Sequence, residues 1–223
     1  MKIALIGATG FVGAPVLDEA LARGHTVVAL VRDPAGIAPR AGLEPVKADA
    51  YDAGAVAAAV EGADAVISAF NPGWTDPEIA PKFTLGAKAI DAGVIASGVK
   101  RLLVVGGAGS LFVAPGVQLV DTPEFPEFIR AAASAARDLH SDYVAGRTGS
   151  GLDWTFLSPP AGFGPHDPAT DAPRTGTYRL GRDEVLFAGA APATISRADL
   201  AVAILDEIET PAHRHTRFTV AAV

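Results

Sequence analysis

Lys2-Ile3-Ala4-Leu5-Ile6-Gly7-Ala8-Thr9-Gly10-Phe11-Val12-Gly13 runs an apolar stretch into three glycines at three-residue spacing, and a helical pattern follows from Pro15 to Arg23. A strand that enters a helix through such a turn is a dinucleotide-binding arrangement. The three glycines serve different ends. Gly7 lets the chain turn sharply off the strand, Gly10 lets the backbone approach a pyrophosphate, and Gly13 lets the helix pack close to the sheet. Gly7, Ala8, Thr9, Gly10, Phe11, Val12 and Gly13 are therefore the expected phosphate cradle. The amides from Thr9 to Val12 and the positive end of the helix dipole hold the anion without a basic side chain.

The spacing of glycines is weak by itself in a chain with 24 glycines among 223 residues, and context supplies its specificity. A second apolar run, Thr26 to Val31, follows the helix at βαβ distance. Further runs at Leu43 to Lys47, Ala65 to Ser68, Arg101 to Val105 and Asp153 to Leu157 alternate with helical stretches at Gly54 to Glu61, Pro77 to Ser97 and Glu124 to Arg147. That rhythm predicts an α/β fold, a Rossmann-type doubly wound parallel sheet with helices on both faces. The Val-, Ile- and Leu-rich strands lack polar alternation, as strands covered on both sides do. The two longer helices are expected side by side on one face.

After Leu157 the pattern breaks in Ser158-Pro-Pro-Ala-Gly-Phe-Gly-Pro-His-Asp-Pro168, which is too rich in proline and glycine for regular structure and reads as a functional loop. Beyond it, Gly176 to Leu180 reads as a short strand, Ser196 to Glu209 as a helix with Ser196 and Asp199 in capping-box positions, and Arg217 to Ala221 as a last strand. The expectation is one domain over residues 1–223, its part from about 158 forming a small C-terminal extension on the substrate side.

A net charge of -7 without a lysine- or arginine-rich run argues against a nucleic-acid surface. No cysteine is present, which excludes disulfides, thiolate metal sites and a cysteine nucleophile. No apolar run reaches the length of a membrane span. The N-terminus carries a strand and the glycine turn rather than a removable signal, so the expected location is cytoplasmic.

Ligands of such sheets lie at the carboxyl ends of the strands. After the second strand stands Val31-Arg32-Asp33-Pro34, with Arg32 where an NAD-preferring protein usually has an acidic residue. A guanidinium suits a 2′-phosphate, so NADPH is the expected cofactor, while Asp33 leaves NADH possible. Asp49 and Ala50 are expected near the adenine edge, and Ser68, Ala69, Phe70 and Asn71 along the ribose and nicotinamide. Gly106 and Gly107 after the fifth strand and Pro159 after the sixth complete the cofactor set.

Gly7-Ala-Thr-Gly-Phe-Val-Gly13, Val31-Arg32-Asp33, Asp49, Asp64-Ala-Val-Ile-Ser-Ala69 and Leu152-Asp-Trp-Thr-Phe-Leu-Ser-Pro-Pro160 together resemble the atypical short-chain dehydrogenase/reductase superfamily, over nearly the whole chain. Arg174-Thr-Gly-Thr-Tyr-Arg-Leu-Gly181 and Ile195-Ser-Arg-Ala-Asp-Leu-Ala-Val-Ala203 are similar to bacterial proteins described as NADH-flavin reductases. Biliverdin reductase B and the NmrA-like regulators are more distant relatives of this kind. Catalytic members of the superfamily carry a Ser or Thr after the fifth strand and a Tyr-x-x-x-Lys pair on the next helix. Here Ala108 stands near the hydroxyl position, Ser110 comes two residues late, and Tyr143-Val-Ala-Gly-Arg147 lies too close to the sixth strand to serve as that pair.

Without the pair, alcohol oxidation and sugar epimerisation lack their proton relay, whereas hydride transfer between stacked rings depends mainly on positioning. The resemblance and this loss together imply an NADPH-dependent reductase of a flavin, quinone or similar planar acceptor. Phe70, Trp74, Leu111, Phe112, Pro159 and Phe163 are candidates for the acceptor wall. Ser110 and His166 are the candidate catalytic contacts, whereas His140 falls within a helix and reads as a surface or packing residue. His213 and His215 lack further ligands nearby, so no metal is expected. The alternatives are a non-catalytic cofactor-binding redox sensor of NmrA-like type and a nucleotide-sugar epimerase or dehydratase. A homodimer through the two longer helices is also compatible with the sequence.

Overall fold

The computed structural model describes residues 1–73 and 76–223. The first strand, β1 (Lys2–Ile6), sorts its side chains by the two-residue period of a strand: Ile3 and Leu5 enter one core layer, Ala4 and Ile6 the other. β1 pairs in parallel with β2 (Thr26–Val31) on one side and β4 (Ala65–Ser68) on the other. The crossover through β3 (Leu43–Lys47), beyond β2, reverses the direction of winding between β1 and β4. This is the switch point at which a doubly wound sheet opens a crevice.

β5 (Arg101–Val105) extends the sheet beyond β4. The short strands β6 (Phe112–Ala114) and β7 (Val117–Gln118) form an antiparallel pair outside it. Next come β8 (Asp153–Ser158), β9 (Arg179–Gly181), the second small pair β10 (Phe187–Ala188) and β11 (Ala191–Pro192), and finally β12 (Thr216–Ala221). The eight-stranded order is β3-β2-β1-β4-β5-β8-β12-β9, parallel except for β9 at the edge.

Helices α1 (Gly13–Ala22) and α5 (Arg197–Glu209) cover one face of the sheet. On the other face lie α2 (Ala53–Val60), α3 (Ile79–Ser97) and α4 (Glu127–Val144), with α3 packed between the other two. The longer helices are thus neighbours, as their sequence implied. α1 starts at Gly13, ahead of Pro15, because a proline in the first helical turn gives up only an N–H that has no intrahelical partner. Gly98, at φ +80°, ends α3 in the left-handed conformation that glycine adopts without a Cβ penalty.

At the start of α5, the Ser196 hydroxyl accepts from the Asp199 amide at 3.0 Å. Asp199 does not complete the box by reaching back to the Ser196 amide. Its carboxylate instead accepts from the amides of Thr175 at 2.9 Å and Gly176 at 2.7 Å. The Gly176 amide is then lost to any ladder, and β9 begins only at Arg179, opposite Ala221, the last residue of β12. Among the described residues no helix is long and apolar enough to cross a membrane.

Candidate functional site

The glycine turn has the geometry its sequence predicts. Gly7 sits at φ +82°, and a Cβ there would come within 2.5 Å of the Ala69 carbonyl oxygen. A Cβ on Gly13 would overlap the Gly7 carbonyl itself. Gly10 differs: its amide donates to Gly7 O at 2.9 Å, and an added Cβ would meet only that oxygen, at 3.2 Å. The contact at Gly10 is tight but far from the overlap at Gly13. α1 begins with no side-chain cap and no acidic residue in its first turn, so its positive end is open to an anion. These residues fit a dinucleotide pyrophosphate.

The turn forms the middle of a crevice of about 1530 Å³ along the carboxyl ends of the strands. At one end Arg32, Asp33, Asp49, Ala50 and Tyr51 line it. Arg32 is exposed and, among the described residues, has no carboxylate within ion-pairing distance. Asp33 instead accepts from the Ala35 amide at 3.1 Å, and Asp49 from the Tyr51 amide at 3.0 Å. Both aspartates thus hold local turns while facing the crevice. Ala69 and Phe70 follow β4 into the lining, as do Gly106 and Gly107 after β5 and Pro159 after β8.

The other half is walled by rings and small aliphatic groups. Phe163 lies 5.3 Å from Phe11, whose ring also supports the Arg197 guanidinium at 4.9 Å. Phe70 stacks on Phe83 at 6.2 Å and meets Tyr51 edge-on at 5.6 Å. Behind it, Gly86 of α3 supplies the space for the ring, because a Cβ at that position would overlap it. From α4, Phe128, Ile129, Ala132, Ala133 and Ala136 face the crevice. Phe128 is 76% exposed at the mouth and stands edge-on to His166, centroids 6.4 Å apart.

Several expected positions fall elsewhere. Ala8, Gly13 and Ser68 are buried beneath the cradle rather than in its lining. Ser110, expected at the acceptor, is 2% exposed and does not line the crevice. Its hydroxyl donates to Gly107 O at 3.3 Å and accepts from Arg217 at 2.8 Å, so it ties the loop after β5 to the last strand. Leu111 is fully buried, and Phe112 is drawn into β6 by pairing with Gln118; neither forms the acceptor wall. Trp74 lies outside the described residues.

Tyr143 is buried and donates to Asp91 across the α3–α4 seam, and burial pushes its hydroxyl well above the usual tyrosine range. Arg147 pairs with Asp142 at 2.6 Å rather than with Tyr143. His140, expected as a surface or packing residue, packs edge-on against Phe156 at 5.2 Å, and burial lowers it to about 4. His213 pairs with Glu207 at 2.8 Å, and no cluster of three or more metal-ligating side chains occurs among the described residues. Sequence reasoning missed Phe83, Phe125, Phe128 and the alanine face of α4. The one available signal was the aromatic and proline cluster Pro123 to Ile129 at the head of that helix.

A doubly wound sheet with an open anion cradle at its switch point defines a dinucleotide-binding protein. The chain belongs to the NAD(P)H-binding family, whose model matches residues 7–211, and has the atypical short-chain dehydrogenase/reductase form that its motifs resemble. It is 40% identical over 225 residues to the uncharacterized protein YwnB of Bacillus subtilis, covering 99% of this chain and 98% of that one. A solved candidate epimerase from Bacteroides thetaiotaomicron superposes with TM-score 0.88 at 41% identity, over 100% of this chain and 97% of the other. A candidate NADH-flavin reductase from Streptococcus pneumoniae gives TM-score 0.83 at 31% identity, with both chains fully covered.

Proposed function

We propose that the protein is a reductase that uses NADPH in preference to NADH and passes hydride to a flavin, quinone or similar planar acceptor. The observation that carries this reading is the α4 wall of the crevice, where Phe128, Ile129, Ala132, Ala133 and Ala136 line it and the helix contributes no titratable side chain. When bound, the nicotinamide supplies a hydride, two electrons with one proton, and the acceptor takes its second proton from water. The chain's part is to bind and orient. The α1 amides hold the pyrophosphate, Arg32 meets the 2′-phosphate, and Phe70, Pro159 and Phe163 keep water from the faces of the stacked rings. The similarity to the Streptococcus pneumoniae candidate NADH-flavin reductase supports the same reading.

Steady-state oxidation of NADPH with riboflavin, FMN and quinones tests it, and no turnover above background with any of them would sink it. Epimerisation of a sugar demands removal of a hydroxyl proton, and with Ser110 tied to Arg217 only His166 remains of the expected groups. The likeness to a candidate epimerase, 41% in sequence over the whole chain, does not by itself supply a proton relay. A non-catalytic redox sensor is the second reading, favoured by the burial of Tyr143 away from the crevice. It predicts a stoichiometric protein partner recovered only when NADP is present.

A further inference from the structure

We infer that the acceptor accommodated by this crevice is uncharged, so that a phosphate-free isoalloxazine or an unsubstituted quinone is preferred over FMN and other anionic acceptors. The inference rests on the reductase reading and refines its substrate class. The charges of the acceptor half decide it. Glu124, just ahead of α4, and Asp167, beside His166, both line the crevice, and neither has an ion-pair partner among the described residues. Asp167 uses one oxygen to accept from the Ala169 amide at 2.9 Å.

Among the described residues Arg32 is the only Lys or Arg in the lining, and it stands at the far end beyond the glycine turn. The arginines nearest the acceptor half lie outside the lining. Arg130 donates to Glu127 at 2.8 Å and to the carbonyls of Val120 and Phe125, while Arg197 is paired with Asp171. Trp74 and Thr75 carry no charge. A phosphate or carboxylate on the acceptor would therefore meet no lysine or arginine in this half of the lining and two carboxylates that repel it. An uncharged ring system meets the aromatic and aliphatic walls without that repulsion. Selectivity of this kind comes from repulsion of the wrong ligand as much as from attraction of the right one. The redox balance needs nothing beyond the proposed reaction: NADPH gives hydride to the ring, becoming NADP, and water gives the proton that completes the dihydro form.

Riboflavin and FMN share one ring system and differ by a phosphate, which makes them the probes. Their kcat/KM values with NADPH are to be compared, and their binding to the NADP-saturated protein followed by quenching of flavin fluorescence. A preference for riboflavin of about tenfold is expected in both, shrinking with added salt. In the double variant Glu124→Gln/Asp167→Asn the ratio is expected to fall to within about twofold, because FMN gains while Asn still caps the turn at 167. Equal or tighter use of FMN by the parent protein overturns the inference, and so does a riboflavin preference that survives the double substitution. Absence of turnover with every acceptor overturns the reductase reading instead, and the quenching ratio still decides the selectivity.

Discussion

Gly10 and Gly13 look alike in sequence and differ in what their missing Cβ leaves open. At Gly13 the space is taken by the Gly7 carbonyl, so Gly13→Ala should cost about 2–3 kcal/mol of stability, measurable by denaturant unfolding. At Gly10 a methyl would press on the Gly7 carbonyl oxygen at 3.2 Å, a contact that a shift of a few tenths of an ångström relieves, so Gly10→Ala should unfold within about 1 kcal/mol of the parent yet bind nicotinamide nucleotides at least about tenfold more weakly by titration calorimetry. Arg32, proposed to meet the 2′-phosphate, is exposed and without a carboxylate partner among the described residues. Arg32→Asp should weaken NADPH about tenfold or more and improve NADH relative to it, and an unchanged ratio of the two affinities would refute a role at the 2′-phosphate.

Among the elements, α4 has two faces with separate duties. Its crevice face is aliphatic and aromatic, while its seam with α3 carries the pair of Tyr143 and the buried Asp91, which also accepts from Thr148 at 2.7 Å. Burial raises the Asp91 carboxyl above its ordinary value despite both donors. Tyr143→Phe should therefore lower stability by about 1–2 kcal/mol while leaving nucleotide affinity unchanged, and loss of turnover by a stably folded variant would restore Tyr143 as a candidate proton donor. The central strands were readable from their apolar runs, β3 (Leu-Glu-Pro-Val-Lys) being a polar-interrupted edge strand, and β1 to β5 begin and end at the residues expected of them. Element ends were less so. β9 is displaced to the stretch opposite the end of β12, with the Gly176 amide held by Asp199, and both contacts are distant in sequence. The β6–β7 and β10–β11 pairs are too short to give a period.

At the scale of the whole molecule the two ends of the sheet differ. The carboxyl end opens the crevice, while at the amino end Arg101 of β5 pairs with Glu207 of α5 at 2.8 Å and bonds to Thr155 of β8 at 2.8 Å. Burial alone would raise the Glu207 carboxyl, but the His213 ring and two backbone amides hold it below its usual range. His140 couples overall stability to pH. Its folded value, near 4, lies below the ordinary 6.5, so the native state binds fewer protons between these values and stability falls as pH drops through that window. His140→Leu should remove about 2 kcal/mol of that loss, seen by comparing urea unfolding at pH 7.5 and pH 4.5. The cofactor half of the site was legible because its chemistry resides in a backbone turn with a strict glycine pattern. The acceptor half was not, because Leu111, Phe112 and Phe128 are equally apolar in sequence, and only the course of β6 and α4 decides which of them face the crevice.

Gly86 adds a way of changing the acceptor without altering any residue that touches it. The Phe70 ring rests where a side chain on α3 would otherwise be, so the bore of the crevice is gauged from behind its wall. Gly86→Ala should act as a set screw, driving the ring forward and excluding wide tricyclic acceptors before narrow bicyclic ones. The ratio of riboflavin to naphthoquinone turnover would record the narrowing.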